Sequence, residues 1–133
     1  MTKEALYELA EQQNISVFFG DFSAVGSMSL NYGENGVIGM DTSLSGQEET
    51  EHLAHELGHC IRGAFYHPYE LPAVREKMER KANAWAIQQL IPLSRLKAAM
   101  FPSCEVWQIA EELGCSERLV RSAFEYYKEK QML

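Results

Sequence analysis

His55-Glu56-Leu57-Gly58-His59 spells H-E-x-x-H within a stretch that otherwise reads as helix, and it decides how the rest of this 133-residue chain is read. Side chains four apart on a helix project from one face a turn apart, so both imidazoles reach a single metal ion. Glu56 faces the same ion but is poorly placed as a ligand beside its neighbour; it suits taking a proton from an activated water. The pattern is that of a catalytic zinc site. Leu53, Ala54, Leu57, Cys60 and Ile61 supply an apolar face at helical spacing, and Gly58 leaves room for another backbone. Ser45-Gly46-Gln47-Glu48 has capping-box spacing and Gly63 follows the last periodic residue, which predicts a helix from Gly46 to Arg62.

A catalytic zinc site has three protein ligands and an open position, so a third ligand must come from elsewhere. Arg62-Gly63 leads into Phe65 and Tyr66 rather than to a third histidine, which excludes the metzincin pattern. After a loop from Ala64 to Leu71, Pro72 opens a helix that runs through Ala82, Ala86 and Leu90 until Pro92 stops it. Glu76 and Glu79 on that helix, with Glu70 before it, are the available carboxylates. Glu79 is preferred, because Ala82 and Ala86 on its side permit a close helix crossing, and Asn83 can orient the free ring nitrogen of His55. Glu76, His52 and His67 remain as alternatives. Tyr66 and His67 are the candidates for a second electrophile toward an oxyanion.

Upstream, Ala5, Leu6, Leu9 and Ala10 mark an amphipathic helix ending near Gln13-Asn14. Ile15 to Phe19, Ser27 to Tyr32 and Gly36 to Met40 read as strands of a small antiparallel sheet, with Gly33-Glu34-Asn35-Gly36 as a hairpin turn. Gly36 to Met40 leads into the zinc helix and is expected to be the edge along which a peptide substrate adds as a strand. Downstream, Val106 to Gly114 and Leu119-Val120 have helix-turn-helix spacing, with Ser103 and Ser116 as caps and Pro102 and Gly114 as punctuation. The second of these helices carries Glu117, Arg118, Arg121 and Glu125. It is nearly neutral, which argues for packing or a protein partner over DNA.

A hydrophobic share of 46% with 11% aromatic fills the core of one domain of this length, and a net charge of −7 disfavours nucleic-acid backbones and anionic membranes. Charges in Met1-Thr2-Lys3-Glu4 interrupt any signal-peptide core, so a cytoplasmic protein without membrane association is expected. Cys60, Cys104 and Cys115 contain no C-x-x-C, which suggests neither a disulfide framework nor a structural zinc site, and Cys60 points away from the ligand face into the core.

His55-Glu56-Leu57-Gly58-His59, a spacer of about twenty residues, then Glu79-x-x-Ala82-Asn83-x-Trp85-Ala86 and Leu90-Ile91-Pro92 resembles the ImmA/IrrE metallopeptidases of bacteria, their phages and conjugative elements. The helix, strands and Met40-Asp41-x-x-Leu44-Ser45 ahead of the zinc helix are similar to that family's layout. The resemblance implies an α+β, gluzincin-like minimal metallopeptidase, with Zn2+ held by His55, His59 and Glu79 and with Glu56 as base. It further implies an antirepressor that cleaves a helix-turn-helix transcriptional repressor. A non-proteolytic antirepressor and a DNA-binding accessory protein are the alternatives. The expected organisation is one domain, 1–133, with a catalytic core over 1–102 and a helix-turn-helix-like pair over 103–133 packed on it.

Overall fold

Thr2 caps the first helix, α1 (Lys3–Gln12), by accepting from the Ala5 amide at 3.1 Å, and the helix buries Leu6 and Ala10 before Asn14 turns left-handed at φ 56°. A computed structural model describes residues 1–101 and 105–133. Pro102, Ser103 and Cys104, read above as a stop, a cap and a third cysteine, lie outside the described residues. The chain divides into two compact units, Met1–Ala86 and Ile87–Leu133.

In the first unit, β1 (Ser16–Gly20), β2 (Ser27–Leu30) and β3 (Val37–Asp41) form one sheet in the order β1-β3-β2. The β2–β3 hairpin is antiparallel as expected, with Gly33 and Gly36 at positive φ in its turn. The wholly antiparallel sheet is corrected, because β1 pairs parallel with β3, Phe18 opposite Gly39. The cause lies in residues 21–26, which carry the chain past the end of β3. Asp41 at that end accepts from the Phe22 amide at 2.8 Å, while its own amide donates to the Gly26 carbonyl at 2.8 Å.

β3 is therefore the central strand, which corrects its expected place at the edge. Ile38 and Met40 are fully buried on one face, and the ring of Phe22 lies where a side chain on Gly39 would stand on the other. Covered on both faces, such an apolar strand suits a sheet centre. β2 inverts the usual pattern, since Ser27 is buried while Met28 and Leu30 stay exposed.

α2 (Gly46–Arg62) packs on β2, β3 and α1, with Leu53, Ala54 and Leu57 fully buried, and ends at Gly63 in the left-handed conformation. Ser45 occupies the N-cap but makes no side-chain bond there, so the capping box is not formed. α3 (Pro72–Leu90) crosses α2 closely, for a Cβ on Gly58 would stand 2.6 Å from the Ala82 carbonyl oxygen.

The second unit contains α4 (Leu93–Met100), α5 (Val106–Leu113) and α6 (Glu117–Glu129). Leu96, Ile109, Val120 and Ala123 form its core, and Tyr127 donates to the Ile91 carbonyl at 2.7 Å. Ser116 caps α6 as expected by accepting from the Leu119 amide, whereas Glu105 holds the N-cap position of α5. Among the described residues no helix is long and apolar enough to cross a membrane.

Candidate metal centre

α2 presents two pairs of side chains a turn apart, His52 with Glu56 and His55 with His59. Because Gly58 lets the α3 backbone approach, Glu79 comes within reach of both rings of the second pair. Its Oε1 lies 3.0 Å from His55 Nε2 and its Oε2 lies 2.9 Å from His59 Nε2, while the two Nε2 atoms are 3.2 Å apart. Asn83, one turn beyond Glu79, places Oδ1 2.8 Å from His55 Nδ1. The Ala64 carbonyl, just past the left-handed Gly63, lies 2.6 Å from His59 Nδ1.

These partners fix the chemistry of the cluster. A carbonyl only accepts, so His59 must donate from Nδ1, and Asn83 Oδ1 asks the same of His55. Both Nε2 lone pairs then point at one another and at the Glu79 carboxylate. Three donor groups converging in this way require a positive charge between them, either a proton or a metal cation. Although burial disfavours a charged His59, the Glu79 carboxylate and the Ala64 carbonyl outweigh it and raise the His59 pKa. Burial likewise opposes ionisation of Glu79, but bonds from His55, His59 and Tyr66 hold its carboxyl well below the usual range. Among the described residues, His55, His59 and Glu79 form a group able to hold a metal ion.

The remaining candidates fall in different places. Tyr66 reaches the cluster, donating to Glu79 Oε2 at 2.9 Å with its ring 6.2 Å from that of His59, and burial together with that bond raises its pKa. His67 turns to its own loop, where Nδ1 accepts from the Tyr69 amide. Glu76 is exposed and lines an open cleft beside the cluster with Arg75 and Arg80. Neither Glu70 nor His52 joins the ligand group. Cys60 is buried as expected, and burial reinforced by the charge of Glu56 pushes its thiol up to about 12.

A model of the IrrE N-terminal-like domain, a peptidase family, matches residues 10–125. The chain belongs to the ImmA/IrrE peptidase family. No curated protein and no solved structure matches it. Membership gives a metallopeptidase-like role and a protein substrate class, in keeping with the His55, His59 and Glu79 group.

For this ImmA/IrrE member, sequence reasoning missed Ser27. Its hydroxyl donates to Glu56 Oε2 at 2.8 Å and lies 2.7 Å from His52 Nδ1. A serine opening a strand gives no signal of its own. The usable signal was His52 four residues before Glu56, which marks a second polar pair on a helix whose other faces are apolar.

Proposed function

We propose that this chain is a zinc-dependent endopeptidase of narrow specificity that cleaves a helix-turn-helix transcriptional repressor and so relieves repression. The observation that carries the enzymatic part is the convergence of His55 Nε2, His59 Nε2 and the Glu79 carboxylate, with Glu56 buried one residue along α2. The donor set suits zinc, because both nitrogens are fixed as lone-pair donors by their Nδ1 partners and the carboxylate supplies charge. When bound, the zinc ion supplies Lewis acidity, acidifying water and polarising the scissile carbonyl.

The chain's own residues do the rest. Glu56 takes the proton from the attacking water and returns it to the leaving amine. Tyr66, whose hydroxyl sits at the rim of the cluster, donates to the developing oxyanion. Asn83 holds the ring of His55 in its ligating tautomer. Substrate adds as a strand along β2, the sheet edge whose first residue touches Glu56. In α6, Arg121 lies 3.5 Å from Glu117, which leaves little net positive charge on that helix and supports a role in contacting protein rather than duplex DNA.

The test is incubation of the zinc-loaded chain with helix-turn-helix repressors from its own genome. One of them should be cut at a discrete position, and Glu56→Gln should slow that cut by about 10³-fold while metal content stays the same. Repressor inactivation that survives Glu56→Gln would transfer the role to binding alone.

A further inference from the structure

β2 is laid down in a register that burial alone disfavours. Shifting a strand by one residue exchanges its faces, and here the exchange would bury Met28 and Leu30 and expose Ser27. The observed register does the opposite, leaving Met28 at 38% and Leu30 at 53% exposure with Ser27 at 8%. What it gains is the pair of short contacts that Ser27 Oγ makes with Glu56 Oε2 and His52 Nδ1. Gly26 is shaped for the same purpose. Its φ of +81° suits glycine, and a Cβ there would stand 2.6 Å from His52 Cε1, too close for the imidazole to keep its place.

The proton count on this triad has one solution. A carboxylate only accepts, and Ser27 has a single hydroxyl proton, which therefore goes to Glu56. The Ser27 oxygen must then accept from His52, so His52 carries its proton on Nδ1. The imidazole fixes which way the hydroxyl points, and the hydroxyl fixes one oxygen of the carboxylate, leaving Oε1 of Glu56 as the free acceptor.

We propose that Ser27 and His52 are positioning residues for Glu56, a relay from β2 and the preceding turn of α2 that holds its carboxylate in one rotamer with one oxygen presented to the reacting atoms. The proposal rests on the reading of Glu56 as proton acceptor. Removing the relay leaves the metal cluster untouched, since none of its contacts involves His55, His59 or Glu79.

Two measurements on the zinc-loaded chain test it. The first uses acetohydroxamate, whose hydroxyl needs an oriented acceptor beside the metal. Ser27→Ala should weaken its binding about tenfold at unchanged zinc content and circular dichroism, and Ser27→Thr, which restores the hydroxyl, should recover most of that loss. The second reads the ring nitrogens by long-range 1H–15N correlation. His52 should be protonated at Nδ1 in the parent chain and shift toward Nε2 in Ser27→Ala. If Glu56→Gln weakens acetohydroxamate binding and Ser27→Ala does not, the relay is wrong and the role of Glu56 stands. If neither substitution matters, or the parent chain does not bind the probe, the reading of the site itself fails. A His52 protonated at Nε2 alone in the parent chain overturns the part given to His52.

Discussion

α2 and β2 flank the same carboxylate and follow opposite rules. α2 buries its apolar stripe, with Leu53 and Leu57 at 0% exposure, and turns its histidines toward the site. β2 exposes Met28 and Leu30 and buries Ser27. Where a helix obeys its hydrophobic period, its polar residues are placed as a by-product of folding. Where a strand departs from its period, a polar contact is the place to look for the cause, and here the contact that goes with the departure is Ser27 with Glu56.

The largest effect expected from this contrast lies in α2. Leu57→Ala opens a cavity beneath the metal-bearing face and should cost about 2–5 kcal/mol in urea denaturation of the metal-free protein. Gly58→Ala should follow at about 1–3 kcal/mol, because the new methyl meets the Ala82 carbonyl oxygen and the helix crossing must widen. That widening draws Glu79 away from the rings, so zinc affinity should fall along with stability. Unchanged zinc affinity in Gly58→Ala would show that the close crossing does not set the position of Glu79.

Metal removal and pH separate the cluster from its scaffold. Zinc at one hundred times its dissociation constant should stabilise the chain by about 2.7 kcal/mol, an effect lost in His59→Ala. Without metal, a proton takes the place of the cation. His59 has a raised pKa, so its contribution is complete below about 6.5 and is lost as pH rises through the higher folded value. Glu79 has a depressed pKa, so its contribution is present above its ordinary value of 4.5 and is lost as pH falls through the lower folded value. Thermal melts of the metal-free protein should therefore show a decline on going from pH 5.5 to pH 8, and zinc-loaded protein, whose ligands compete with protons, should lack it. Parallel trends in the two forms would mean that the cluster carries neither proton nor metal.

What was legible in the sequence followed the range over which each signal acts. The bounds of α2 and the start of α3 were readable because Gly63 and Pro72 punctuate a clear helical period, and the approach of Glu79 and Asn83 followed from small residues on one side of α3. The β2–β3 hairpin was readable from Gly33 and Gly36. The parallel pairing of β1 with β3 was not, since it depends on Asp41 gathering residues 21–26 across the end of β3, a non-local contact with no periodic trace. Ser27 was hidden for a related reason. Which face of a four-residue strand turns inward is a question of register, and the partners of Ser27, His52 and Glu56, lie on another element.

The smallest predicted effect tests the contrast most sharply. If β2 were held by its apolar residues, Met28→Thr would destabilise the protein as a core substitution does, by 1 kcal/mol or more on the scale of about 0.5–3 kcal/mol for point mutants. If Ser27 sets the register, Met28 contributes little, and threonine, a good strand former on an exposed face, should change stability by less than about 0.5 kcal/mol. The double substitution Ser27→Ala/Met28→Thr discriminates further. Removing the buried hydroxyl takes away the reason for the present register, and removing Met28 weakens the apolar drive toward the alternative, so amide exchange along β2 should quicken in the double variant more than in either single one. Equal protection of β2 in all four proteins would show that its pairing with β3 alone fixes the strand, and the burial of Ser27 would then be a consequence of the hairpin rather than its cause.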